Sequence, residues 1–69
     1  MRIKYDPAAD AAYVYLVDRI QPGEAKTQIV VLDGGVVLDL DAEGRLLGVE
    51  VVHAKRLLRP ETLHTGKKK

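Results

Sequence analysis

The chain has 69 residues, of which 46% are hydrophobic and 30% are charged, with a formal net charge of +1 and no cysteine. This length fits one domain, because a compact module needs on the order of 50 residues. The absence of cysteine excludes disulfides, cysteine-bound metal clusters and cysteine nucleophiles, and the absence of serine excludes a serine hydrolase.

A chain of this size has a small core for its surface. It buries only about 60% of the surface that the unfolded chain exposes, so its core needs a supplement. Without disulfides, we expect that supplement to be self-association or efficient β packing. The cysteine-free composition fits a cytoplasmic protein. We expect no membrane association, because the longest apolar run is Ala11 to Val17 and a bilayer span needs about 20 residues.

Charge is divided unevenly along the chain. Residues 1–53 carry five basic and nine acidic side chains, whereas residues 54–69 carry six basic and one acidic. An acidic body is therefore followed by a basic end. The basic end includes Lys67, Lys68 and Lys69, which predict weak, salt-sensitive attraction to phosphates or acidic partners without sequence readout.

The first predicted elements are strands joined by a short turn. Ile3 and Tyr5 alternate with charged residues and predict an opening strand. Asp6 followed by proline predicts a single helical turn that ends at Asp10. The run from Ala11 to Asp18 is rich in aromatic and aliphatic residues, which predicts a strand buried on both faces.

Three further strands are predicted in the middle of the chain. Gln21-Pro22-Gly23 is a turn signal, and a strand follows from Glu24 to Leu32. Asp33-Gly34-Gly35 supplies the positive φ values of a tight hairpin turn. The clearest pattern is a hairpin of two strands, Val36–Leu40 and Arg45–Val52, around the turn Asp41–Gly44, where glycine supplies a left-handed conformation.

A short helix is predicted after the last strand. His53 to Arg59 changes to a helical period, and Pro60 ends it. A helix of this length is unstable alone, so Leu57 or Leu58 must dock on the sheet. We therefore expect an α+β, mostly β fold: an antiparallel meander of about five strands with a short C-terminal helix. Residues 1–59 form the single β-rich domain, and residues 60–69 form a flexible basic tail.

The acidic turn falls on a calcium-loop spacing. Asp39, Asp41, Glu43, Gly44 and Glu50 match the order D-x-D-x-[DN]-G-x5-E, with Glu43 where Asp or Asn is usual. Helices flank such loops, whereas β-patterned residues flank this one. The interpretation we favour is a solvated acidic turn, with a cation site as the open alternative.

Other candidate chemistry is sparse. His53 and His64 are the only histidines, and we expect structural or solvent-facing roles, with the His53 ring capping the helix that follows. An enzyme using Asp39, Asp41 and Glu50 as acid–base groups would need a pocket that shifts one pKa. We assign no catalytic, cofactor-binding or metal-binding residues.

The aromatic residues are Tyr5, Tyr13 and Tyr15. Exposed rings beside basic grooves stack on single-stranded nucleic acid. Acidic residues surround these rings, so packing in the core or at an interface is the favoured role.

Three segments in order carry a family resemblance. They fit the patterns Y-D-x-x-x-D-x-x-Y, G-V-x-L-D-x-D and G-x-x-x-G-[IV]-E-[IV], and they begin at Tyr5, Gly35 and Gly44. In this order they resemble domain-of-unknown-function family 2283, a family of small prokaryotic proteins, over about residues 3–58. The resemblance implies a compact β-rich fold with a short terminal helix and brings no catalytic residues. Members look like companions of small toxin-like genes, which implies an antitoxin or binding-partner role by analogy.

Several family positions also have local physical explanations. Asp6 and Asp10 bracket a turn, and Gly48 permits close packing or a bulge. Because so little helix is available to cover the sheet, we expect a second subunit to cover the rest. The leading hypothesis is a non-enzymatic, homodimeric protein-interaction module, with an antitoxin-like or regulatory role towards a partner protein as its finer form. The alternative is a nucleic-acid-associated protein that uses the basic C-terminal segment.

Overall fold

A computed structural model describes residues 1–65 and 67–68. The strands are β1 (Arg2–Asp6), β2 (Ala11–Tyr15), β3 (Thr27–Val31), β4 (Val36–Leu40), β5 (Leu46–Val52) and β6 (Lys67–Lys68). The helices are α1 (Ala54–Leu57) and α2 (Pro60–Thr65), and a 3-10 turn covers Leu32–Gly34. Five strands form an antiparallel sheet, so the predicted mostly β fold class with a small helical part is confirmed.

The strand order across the sheet is β3-β4-β5-β2-β1-β6. The expected meander holds for β3, β4 and β5, and β1 and β2 form a separate antiparallel hairpin. The two units join where β2 pairs with β5, so β2 and β3 are not neighbours as a simple meander would have them. β5 is the longest strand, with seven residues. It pairs with β4 on one side and with β2 on the other. β6 adds to β1 in parallel.

The core lies on one face of the sheet, which we call the helix-bearing face. Val36, Val51, Ala12 and Tyr5 form a row across four strands of that face, and Ala54 of α1 is fully buried against it. Leu57 of α1, Leu63 of α2 and Leu58 between the two helices pack around this row. The predicted docking of the leucines on the sheet is therefore confirmed.

The second strand departs from its prediction. It ends at Tyr15 rather than Asp18, and Ala12 is its one buried residue. Leu16 and Val17 remain 41% and 37% exposed. The expectation of burial on both faces is wrong, because the helices cover one face of the sheet only. We call the other side the open face.

The C-terminal region contains more helix than predicted. The first helix ends at Leu57, and Pro60 opens a second helix instead of ending the fold. Proline suits the first turn of a helix because it has no N–H to leave unpaired. The segment assigned to a tail is therefore helical as far as Thr65. Gly66 and Lys69 lie outside the described residues, and no helix in the described part is long and apolar enough to cross a membrane.

Candidate functional site

The acidic turn is organised by one carboxylate. Asp41 Oδ1 accepts hydrogen bonds from the backbone N–H groups of Glu43 and Arg45, each at 2.9 Å. Gly44 takes a φ of +80°, the left-handed conformation that the sequence predicts. Glu43 pairs with Arg45 at 3.3 Å on the exposed surface. The turn therefore uses Asp41 to satisfy its own backbone.

The residues on the calcium-like spacing serve different structures. Asp41 and Glu43 belong to the turn, whereas Asp39 lies on β4 and Glu50 on β5. Among residues 1–65 and 67–68, no group of three or more histidine, aspartate and glutamate side chains could hold a metal ion. The structure does not gather these carboxylates around a common point.

Asp39 is a buried carboxylate on the open face, with 8% of its surface exposed. Tyr13 Oη donates a hydrogen bond of 2.5 Å to Asp39 Oδ2. Gln28 Nε2 donates a bond of 2.8 Å to Asp39 Oδ1. Hydrogen bonds on both oxygens offset the cost of burying this charge. The cluster links β2, β3 and β4 from the open face.

Gly48 makes the contact between Tyr13 and Asp39 possible. Gly48 lies between Tyr15 and Asp39 in the register of the sheet. A Cβ atom at Gly48 would overlap the end of the Tyr13 ring. The ring crosses over the glycine to reach β4, so the predicted close packing at Gly48 is confirmed.

The pKa of the Tyr13 phenol is raised above its usual value of 10.0. Burial is the main cause, and the hydrogen bond to Asp39 and the negative charge of that carboxylate add to it. Tyr15 and Glu50 contribute smaller effects in the same direction. The phenol therefore stays protonated and acts as a hydrogen-bond donor across the physiological pH range.

A pocket of about 130 Å³ lies beside this cluster. Tyr13 reaches across Gly48 to Asp39 on β4 and also forms part of the pocket lining. We call this space the open-face pocket. Its lining residues are Lys4, Asp6, Ala11, Ala12, Tyr13, Tyr15 and Glu50.

The tyrosines have different environments. Tyr5 is 7% exposed and belongs to the core, so it cannot join a stacking platform. The Tyr13 and Tyr15 rings meet edge to face with centroids 4.7 Å apart. The Arg2 guanidinium lies 4.1 Å from the Tyr15 centroid, a cation–π contact that occupies one side of that ring.

Asp10 holds the first helix in place. Its Oδ1 accepts hydrogen bonds from Tyr5 Oη at 3.0 Å and from the Lys55 N–H at 3.1 Å. Its carbonyl accepts a bond from the Ala54 N–H at 2.9 Å. Burial first, and then Asp10, raises the pKa of the Tyr5 phenol.

The predicted cap from His53 is wrong. His53 occupies the position before the helix with a φ of +56°, but its ring makes no capping hydrogen bond. Asp10 takes that role from 45 residues away in sequence. No local pattern signals such a cap, although Asp10 belongs to the first family motif. The other histidine, His64, is exposed on α2.

The strand β3 forms an uncovered apolar edge of the sheet. All five of its residues are exposed. The exposed fractions are 43% for Ile29, 60% for Val30, 37% for Val31 and 65% for Leu32. We call residues 27–32 the β3 edge, and this segment contains no charged residue. Four consecutive exposed aliphatic residues therefore lie on β3 and at the start of the 3-10 turn that follows it.

The fold and these two surfaces define a small antiparallel-sheet protein with helices on one face only. The chain belongs to the family described as "Protein of unknown function (DUF2283)", whose model matches residues 2–55. No curated protein and no solved structure matches the chain. The three family motifs have structural roles here, since they supply the Tyr5–Asp10 contact, the Tyr13–Asp39 contact and Gly48.

Proposed function

We propose that this chain is a non-enzymatic protein-interaction module that pairs with a second copy of itself through the β3 edge. The observation that supports it is the run of four exposed aliphatic side chains, Ile29 to Leu32, at the edge of the sheet. Monomeric proteins protect such edges with charged residues, proline or bulges. Residues 27–32 contain neither a charged residue nor a proline.

Both faces of the edge strand favour association. Ile29 and Val31 are on the helix-bearing face, because Val31 pairs with Val36, which packs against the core. Val30 is on the open face, the side on which Gln28 contacts Asp39. A strand added beside β3 would cover apolar surface on both faces. It would also form hydrogen bonds with the backbone N–H and C=O groups of β3 that point away from β4.

A second copy suits this edge better than an unrelated strand. A two-fold axis normal to the sheet places two β3 strands side by side and antiparallel, with both helix-bearing faces on the same side. No like charges oppose each other within residues 27–32. Lys26 precedes the β3 edge and Asp33 follows it, so antiparallel pairing brings the basic flank of each strand near the acidic flank of the other.

The non-enzymatic part of the proposal is supported by the carboxylates. Asp39 is engaged by Tyr13 and Gln28, and Asp41 is engaged by its own turn. A regulatory, antitoxin-like role towards another protein, in the cytoplasm, is the finer form of the proposal. It rests on the family resemblance and the cysteine-free composition.

Replacement of one edge residue tests the pairing. Val30→Lys introduces a charge that would oppose itself across the two-fold interface, and Leu16→Lys is the matched control at an exposed aliphatic position away from β3. Size-exclusion chromatography with light scattering measures the mass. We expect the wild type and Leu16→Lys at about twice the 7.6 kDa chain mass, and Val30→Lys as a folded monomer by circular dichroism. A monomeric wild type, or a Val30→Lys protein that remains dimeric, would contradict the proposal.

A further inference from the structure

Glu50 is a half-buried carboxylate without a partner in the described part of the chain. It lies on β5 between Tyr13 and Val37 on the open face. Neither of the salt bridges includes it, and it makes no hydrogen bond through its side chain. It is the register neighbour of Tyr13 and lines the same pocket. A partly desolvated and unpaired charge favours a ligand of opposite sign.

The rest of the open-face pocket is suited to a cation. Asp6 adds a second carboxylate, against the single positive charge of Lys4. Tyr13 and Tyr15 add aromatic surface beside these acids. Carboxylates combined with aromatic rings favour guanidinium and ammonium groups through ion pairing and cation–π attraction.

The size of the pocket limits the ligand. Its volume of about 130 Å³ is small beside the roughly 300–1,000 Å³ of a pocket for a drug-sized ligand. The end of one long side chain fits this space. The Arg2 guanidinium on Tyr15, at 4.1 Å from the ring centroid, shows that the Tyr15 ring already accepts a cation from within the chain.

We propose that the open-face pocket binds one cationic side chain, arginine or lysine, of a partner protein, with Glu50 as its ion-pair partner. Asp6 is the second anionic contact, and the tyrosine rings hold the aliphatic stem of the ligand. Lys4 competes with the incoming cation. The site lies on β1, β2 and β5, so it remains free when β3 pairs with a second copy, and the inference does not depend on that pairing.

The test is a titration with the cationic group alone. Amide signals of the ¹⁵N-labelled protein are followed by NMR as N-acetyl-arginine amide or N-acetyl-lysine amide is added. N-acetyl-citrulline amide is the control, because it has nearly the shape of arginine without the charge. We expect saturable shifts at Ala11, Tyr13 and Glu50 with the cationic compounds, weakened by added salt, and none with citrulline.

Variants distinguish binding in the open-face pocket from general attraction of the ligand to surface charge. Glu50→Gln is expected to weaken binding at least about tenfold, Lys4→Gln to strengthen it, and Glu43→Gln in the exposed turn to leave it unchanged. The same spectra report whether each variant is folded, and Asp6→Asn provides a second pocket variant. The proposal would be overturned if no saturable shifts appeared up to about 50 mM ligand, because a dissociation constant above that concentration means negligible binding. Equal binding by the wild type and a folded Glu50→Gln protein would also overturn it.

Discussion

Tyr13 and Gly48 depend on each other at the scale of single residues. The phenol reaches Asp39 because glycine leaves room for the ring. Gly48→Ala forces the ring aside and loosens the hydrogen bond to a buried carboxylate, so we expect a loss of about 1–3 kcal/mol in the free energy of unfolding. Urea denaturation measures this loss.

A double-mutant cycle shows whether contact with the Tyr13 ring causes the loss of stability in Gly48→Ala. In a Tyr13→Ala background, Gly48→Ala no longer meets the ring, and its cost should fall to a few tenths of a kcal/mol. An equal cost in both backgrounds would mean that the alanine acts on the strand itself and not on Tyr13.

The raised pKa of Tyr13 predicts a loss of stability at alkaline pH. The folded protein favours the neutral phenol, so this contribution to stability is complete below the unfolded-state pKa of 10.0. It decreases as the pH rises above that value and is gone above the raised native-state pKa. We expect the wild type to lose free energy of unfolding faster than Tyr13→Phe between about pH 9 and 11. Tyr5 is common to both proteins, so the difference isolates Tyr13, and parallel curves would contradict this assignment.

Local residue patterns predict some of these features and miss others. Gly44 and Gly48 are predictable, because a turn and a close approach each require glycine locally. The partners of Asp39 are not, since Tyr13 is 26 residues away along the chain and Gln28 is 11 residues away. Pairing at such separations depends on which strands become neighbours. That order is decided by the packing of the whole sheet.

At the scale of elements, helix α1 is stabilised by a residue that lies outside the helix. It has four residues, too few for a stable isolated helix, and Asp10 caps its first turn. We expect Asp10→Ala to lower the free energy of unfolding by about 1–2 kcal/mol and to speed hydrogen exchange at the Ala54–Leu57 amides. NMR-detected exchange measures the second effect.

His53→Asn is the control for this helix. Asparagine tolerates the left-handed conformation of that position, and the His53 ring caps nothing, so exchange in α1 should stay as in the wild type. The assignment of the cap to Asp10 would be wrong if His53→Asn accelerated exchange as much as Asp10→Ala.

Hairpins were predictable among the elements, but their assembly was not. The β4–β5 hairpin follows from alternation and its glycine turn. The pairing of β2 with β5 joins segments more than 30 residues apart, and no local signal marks it. Helix α2 has no clear local signal, because Pro60 ends one helical pattern and also suits the start of another.

The helices are unevenly placed at the scale of the whole molecule. They cover the core residues of β1, β2 and β5, whereas β3 lies at the edge with all its residues exposed. A small chain with one uncovered apolar edge gains stability when a second copy covers that edge. The scarcity of helix predicts that a second copy covers part of the sheet. The choice of the β3 edge for the proposed contact depends on the strand order, which the sequence does not reveal.

The pairing of two β3 strands is tested most directly by contacts between copies. In a mixed sample of ¹³C-labelled and unlabelled protein, isotope-filtered NMR detects protons of one copy close to those of the other. We expect intermolecular signals from the methyl groups of Ile29, Val30 and Val31. Signals confined to other surfaces, or none at concentrations where the protein is dimeric, would contradict the account.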